Sequence, residues 1–236
     1  MINDYFRSCI SGSGPLQAEI SFPPINIIRL RPNVIFDLTE DKSVLHLGCT
    51  DHLSIIEKKI EKGIYFHRQL NCVAGKCLGI DINNETVQYL ERHGVDNIIV
   101  ADITQPGIKE IANNKWDYLL MAEVLEHIND PVDFLKCIAK EYRNNIMNII
   151  ITVPNAFGLI HMNHALINGC ESINTDHRYW FTPYTICKIV HEAGLIIDDL
   201  IMCLYEMSQS ILNEYSSVIK AKPVLLDTIV LTAHWN

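Results

Sequence analysis

From Ser43 onward, short apolar runs alternate with longer amphipathic stretches, a pattern that predicts a parallel sheet covered by helices. The runs are Val44–Leu47, Cys77–Ile80, Ile98–Val100, Tyr118–Met121 and Ile149–Val153. They are nearly continuous in apolar residues, as expected of strands buried on both faces. Between them, Asn84 is placed to cap a helix that runs through Val87 and Leu90 and stops at Gly94. Asp130-Pro131-Val132-Asp133 offers an N-cap, a proline at the first helical position and an acidic residue near the positive helix end. Phe134, Leu135, Ile138 and Tyr142 follow as one apolar stripe. Thr182-Pro183 opens a further helix with Ile186, Ile189, Val190 and Ala193 inward and Gly194 as its stop. Two later runs, Leu195–Ile197 and Thr228–Thr232, predict strands closing one edge of the sheet as an antiparallel pair, with a helical insert over 207–221. Residues 1–42 carry turn signals at Ser11-Gly12-Ser13-Gly14-Pro15 and Phe22-Pro23-Pro24 but no usable period. They read as an N-terminal extension, a helical cover, ahead of one domain over 43–236.

Composition narrows the classes. A net charge of -9 disfavours a phosphate-tracking surface, so nucleic acid is not an expected partner. The densest basic run, Glu57-Lys58-Lys59-Ile60-Glu61-Lys62, is interrupted by acids and reads as a solvated helix face. The eight cysteines form no C-x-x-C pair and most lie in apolar segments, so they read as small buried thiols in a reducing compartment. With no apolar signal segment near Asp4 and Arg7 and no run long enough for a membrane span, a soluble cytoplasmic protein is expected.

Candidate chemistry sits at the ends of the first three strands, the edge where open α/β sheets bind ligands. Leu47-Gly48-Cys49-Thr50-Asp51-His52 follows the first, and a glycine there lets backbone approach a ligand. Gly79-Ile80-Asp81 ends the second, where a carboxylate can accept from both ribose hydroxyls. Val100-Ala101-Asp102-Ile103 ends the third; Asp102 can accept from an adenine amino group, with Ile82 and Ile103 offering apolar surface to the ring. A lone Gly or Asp after a strand is ordinarily a turn residue. The series Gly48, Asp81, Asp102 at one edge points to an adenosine-bearing ligand. No G-x-G-x-x-G opens the first helix, which disfavours NAD.

These stretches, together with Trp116-Asp117-Tyr118-Leu119-Leu120-Met121-Ala122-Glu123-Val124-Leu125-Glu126-His127-Ile128, Thr152-Val153-Pro154-Asn155 and Asp176-His177-Arg178-Tyr179-Trp180-Phe181-Thr182-Pro183, resemble class I S-adenosylmethionine (SAM)-dependent methyltransferases. The similarity is greatest to the branch with ubiquinone-biosynthesis enzymes and methyltransferases of polysaccharide gene clusters. It implies a Rossmann-like seven-stranded sheet with an antiparallel last strand, and SAM as cofactor. It also implies a small-molecule or saccharide acceptor, with O- or N-methylation. Gly48, Cys49, Asp81, Ile82, Asp102 and Ile103 are then cofactor residues, and Ala122 and Glu123 lie beside its methionine part. The chain departs from the pattern at His46, where relatives carry an acid, and at Thr50 and His52, where they carry glycines.

Methyl transfer releases a neutral sulfur, so alignment of the acceptor matters most and a base only where a proton must leave. His127, one turn beyond Glu123, and His177, in the loop before Thr182, are the candidate catalytic residues; each can equally be structural. Tyr179 and Trp180 are placed to line an acceptor pocket, and His161-Met162-Asn163-His164 reads as a solvated helix face in a lid segment. Two alternatives stay open. Glu123, Glu126, His127 and His177 are a donor set for a divalent cation, and small-RNA 2′-O-methyltransferases carry a comparable motif. Metal-free relatives share Glu-Val-Leu-Glu-His, however, and no metal is expected. The altered His46–His52 loop also allows a catalytically silent SAM-binding protein.

Overall fold

The apolar runs pair into a seven-stranded sheet in the order β3-β2-β1-β4-β5-β7-β6. The strands are β1 (Ser43–Leu47), β2 (Lys76–Asp81), β3 (Ile98–Val100), β4 (Trp116–Ala122), β5 (Ile146–Pro154), β6 (Leu195–Cys203) and β7 (Thr228–Trp235). This is a computed structural model, and it describes residues 1–205 and 209–236. Only β7 runs against its neighbours, β5 and β6, as the two late apolar runs predict. The helical insert between β6 and β7 is α10 (Gln209–Ala221); positions 207 and 208 of the predicted stretch lie outside the described residues.

The other helices are α1 (Asp4–Ser11), α2 (Arg31–Thr39), α3 (Leu53–Glu61), α4 (Phe66–Val73), α5 (Asn84–Arg92), α6 (Lys109–Ala112), α7 (Pro131–Tyr142), α8 (Leu159–Asn168) and α9 (Pro183–Glu192). Adjacent strand residues feed opposite faces: Leu45 packs with Leu135, Ile138 and Ile186 from α7 and α9, while Val44 packs with Val34, Ile35 and Leu70 from α2 and α4. Within the first 42 residues, α1 lies on α9, where Lys188 Nζ donates to the Ile10 carbonyl at 2.7 Å.

The caps follow the predicted chemistry with one shift. Asp130 accepts from the Asp133 N–H, and Thr182 forms a reciprocal capping box with Thr185. The cap of α5 is Asn83 rather than Asn84, because Asn83 retains extended backbone and its side chain accepts from the Glu85 and Thr86 N–H groups. The cysteines are all free, but Cys72, Cys137 and Cys170 are exposed, the first two within α4 and α7 and the third just past α8, contrary to the buried reading. No described helix is long and apolar enough to cross a membrane.

Candidate functional site

Strand order reverses between β1 and β4, and the crevice at their carboxyl ends is a cavity of about 990 Å³. Parallel pairing sets its floor: Leu47 is in register with Ile80 and Met121, and Asp81 with Val100. Gly48, Cys49, Asp81, Ile82, Asp102, Ile103, Ala122, Glu123, His127 and His177 all line this cavity.

Gly48 turns the chain with φ +66°, and a Cβ there would stand 2.7 Å from Val124 Cγ2. Two independent constraints therefore demand glycine. Asp81 is nearly buried. One of its oxygens accepts from the Thr50 N–H at 3.0 Å and the Thr50 hydroxyl at 2.8 Å, and the other from the Asn83 N–H at 2.9 Å. Thr50, a departure at sequence level, is thus the residue that orients Asp81. Cys49 contributes backbone to the cavity, its thiol lying close over Gly79 and its carbonyl accepting from the Tyr65 hydroxyl. Burial, followed by the charge of Asp81, holds that thiol well above the usual range. Asp102 is exposed, and Thr104 donates to it from hydroxyl and N–H at 2.7 and 2.9 Å, which lowers its pKa. Ile82 is three-quarters exposed while Ile103 is buried in the core below it.

At the next strand end, Glu123 adopts φ +59°, a left-handed backbone uncommon for a residue with a side chain. Its Oε1 accepts from Thr152 Oγ1 at 2.7 Å and stands 3.9 Å from Arg31 Nη1. Arg31 was not singled out from sequence. It is 6% exposed, lines the cavity, lies 4.3 Å from the ring centre of Tyr205, and leaves its Nε without a partner. No local pattern around Arg31-Pro32-Asn33 distinguishes a buried guanidinium from a solvated one. His46 also lines the cavity, stacked on His67 with 5.3 Å between ring centres. Burial drives both below the usual histidine range, His67 to about 4, so the pair is neutral, and His46 occupies the position where the family resemblance implies an acid.

The two candidate histidines also line the cavity. His127 ends a 3-10 turn over Leu125–His127, and His177 lies opposite with its ring perpendicular at 4.7 Å. Arg178 pins the two segments together: its N–H donates to the Glu126 carbonyl at 2.7 Å and its Nη1 to the His127 carbonyl at 2.6 Å. Burial, then the nearby His127, lowers the His177 pKa. Glu126 is fully buried, and burial followed by the Glu123 charge pushes it up to about 9. Tyr179 and Trp180 are not among the residues lining the cavity, contrary to expectation. Tyr179 donates instead to the Asn129 carbonyl, and Trp180 backs His161 at 4.5 Å. His161 itself is turned into the cavity from α8, so the expected solvated face holds only for part of that helix. Lys59, in the basic run, bends over the cavity mouth to Asp51 at 2.7 Å.

The sequence pattern of a family described as a methyltransferase domain matches residues 26–200. The chain is 26% identical over 166 residues to the ubiquinone biosynthesis O-methyltransferase of Aeromonas salmonicida (strain A449), covering 67% of this chain and 65% of that protein. It is 24% identical over 139 residues to the enzyme of the same name from Rickettsia canadensis (strain McKiel), covering 56% and 58%. A match to the tRNA U34 carboxymethyltransferase of Aliarcobacter butzleri (strain RM4018) is 30% identical over 103 residues, covering 43% of this chain and 30% of that one. The matches thus span less than two thirds of the length of these relatives. Among solved structures, one from Listeria monocytogenes described as a SAM-dependent methyltransferase shares the fold at a TM-score of 0.51 and 14% identity, covering 87% of this chain and 98% of that one.

Proposed function

This chain belongs to the methyltransferase-domain family, and we propose that it is a SAM-dependent methyltransferase acting on a hydroxyl of a small-molecule acceptor. The observation that carries the reading is one cavity lined both by Asp81 and Asp102 and by the paired rings of His127 and His177.

The residues fit the cofactor. Asp81 keeps acceptor capacity beyond its three donors and would hold the ribose hydroxyls, with Asp102 toward the adenine amino group. Gly48 would admit the nucleoside against the backbone. Arg31, with a buried Nε lacking a partner, would take the carboxylate of the amino-acid end, and Ala122 and Glu123 would flank that end. This compensates for His46, a neutral imidazole that cannot supply a carboxylate for the ammonium group.

When bound, SAM supplies a methyl group on a positively charged sulfur. The protein's task is then to align the acceptor and relieve its hydroxyl of a proton. His127 and His177, whose rings meet in the lining of the cavity, would take that proton. The relatives named as O-methyltransferases support oxygen over nitrogen as acceptor. Saccharide hydroxyls remain in the same chemical class as phenolic ones, and the acidic chain argues against RNA.

The test is a transfer assay with methyl-labelled SAM against quinols and catechols, nucleotide sugars, amines and RNA. Label in an ether product from a small hydroxyl compound is expected. Transfer confined to amines or RNA would overturn the reading.

A further inference from the structure

Resting on that cofactor reading, we propose that Asp227 is the cation-recognising residue of the cavity and seats a protonated amine of a bound ligand. Asp227 immediately precedes β7 at the carboxyl edge of the sheet, where Thr228 is in register with Pro154 of β5 and Cys203 of β6. It lines the cavity and is 8% exposed. Backbone and side chain are both held. Its carbonyl accepts from the Asn155 N–H at 2.8 Å, and Oδ1 accepts from the Tyr205 N–H at 2.7 Å and the Thr228 hydroxyl at 3.0 Å. These donors are neutral, and among the described residues no donor engages Oδ2.

A carboxylate this buried is ordinarily matched by a cation. Among the described residues Asp227 has none, because the basic groups of the cavity are engaged elsewhere. Arg31 faces Glu123 at 3.9 Å, and Lys59 reaches Asp51 at 2.7 Å. The start of α8 packs hard against Asp227, since a Cβ on Gly158 would stand 3.0 Å from both Asp227 Cα and His161 Cδ2. Burial, then His164, holds the His161 imidazole below the usual range, so it is no counter-ion. Segment 206–213 contains no basic residue. Burial lifts the Asp227 carboxyl to about 6, the Tyr205 and Thr228 hydrogen bonds oppose the rise, and Glu123 adds to it. The group is therefore ionised at neutral pH. The whole lining has the same sign, with six carboxylates against the two permanent cations Arg31 and Lys59.

Asp227 belongs to no group of three metal-ligating side chains among the described residues. One open carboxylate oxygen suits an N–H donor better than a metal ion, and a primary ammonium supplies both charge and a directed hydrogen bond. Two ligands can carry that group: SAM, through the amino group of its amino-acid end, or an acceptor that bears an amine. Tyr205 favours the first. Its ring centre lies 4.3 Å from Arg31 Cζ while Asp227 holds its N–H. One residue thus links the guanidinium that would take the SAM carboxylate to the carboxylate that would take the neighbouring ammonium.

The test measures binding to the full chain by calorimetry, comparing wild type with Asp227→Asn, which removes the charge but keeps the oxygen held by Tyr205 and Thr228. The cofactor probes are S-adenosylhomocysteine, its analogue without the α-amine (5′-S-(3-carboxypropyl)-5′-thioadenosine) and 5′-methylthioadenosine. A loss of about 10- to 100-fold for S-adenosylhomocysteine, with the other two within about twofold, is expected and assigns the amine to SAM. The acceptor probes are tyramine and 4-ethylphenol, each with and without S-adenosylhomocysteine. A similar loss confined to tyramine assigns the amine to the acceptor. Equal losses for amine-bearing and amine-free ligands, or no loss with either set, overturn the proposal. If no adenosine ligand binds the wild type at millimolar concentration, the cofactor reading fails and tyramine alone decides Asp227. An amine-specific loss then upholds the seat, and its absence overturns it. Should Asp227→Asn not fold, Asp227→Glu, which displaces the charge by one methylene, is put through the same comparisons with the same expected losses.

Discussion

His46 and His67 meet through their Nδ1 atoms at 3.1 Å in the core beneath the cavity, one ring donating and the other accepting. Both are almost wholly buried, so each resists protonation in the folded state. An unfolded histidine binds a proton near pH 6.5, and folded His67 does so only near 4. Its contribution to stability is therefore complete above pH 6.5 and lost as pH falls toward 4. Glu126 and Asp227, whose pKa values are raised by burial, act in the opposite sense. The effect of His67 is isolated by comparison with His67→Phe. Between pH 7 and 5, urea unfolding should show the variant gaining about 2 kcal/mol relative to the wild type. A constant difference would place the proton on the folded imidazole.

Thr50 supplies two of the three hydrogen bonds to Asp81. Thr50→Val keeps the backbone donor and removes the hydroxyl, so SAM affinity should fall about 5- to 10-fold by calorimetry, one charge-assisted hydrogen bond being lost. Unchanged affinity would mean that the remaining donors suffice to orient the carboxylate.

Arg31 offers a test specific to one end of the cofactor. Arg31→Ala should weaken S-adenosylhomocysteine by roughly 10- to 100-fold and leave 5′-methylthioadenosine, which lacks the amino-acid part, nearly unaffected. Equal losses for both ligands would assign Arg31 to packing between Phe66 and Tyr205.

Gly48→Ala combines a left-handed backbone with a contact to Val124 Cγ2. A loss of about 2–4 kcal/mol is expected in urea unfolding. Adding Val124→Ala should recover only the steric part, leaving about 1–2 kcal/mol of backbone strain. Full recovery would show that the conformation itself is not costly here.

The sheet, most helix caps and the nucleoside end of the site are legible because each depends on residues close in sequence. An apolar run makes a buried strand, Asp130 caps the helix that immediately follows, and Gly48, Asp81 and Asp102 each lie at or within two residues of the end of a strand. Parallel register then carries all three to one edge without further information. The acceptor end is different. Tyr179 and Trp180 neighbour His177 in sequence yet face away from the cavity, while His161 reaches into it from another helix.

What the sequence determined by itself was the identity of the strands and the edge at which Gly48, Asp81 and Asp102 gather, since strand period and terminal turns are local properties of the chain. What only the tertiary structure decided was pairing across long separations: Arg31 against Glu123, His46 against His67, and Glu126 and His127 against His177. Burial leaves Arg31 Nε, both Glu126 oxygens and His177 Nδ1 without partners and makes His46 and His67 resist protonation, and burial is a property of the packed fold rather than of any segment.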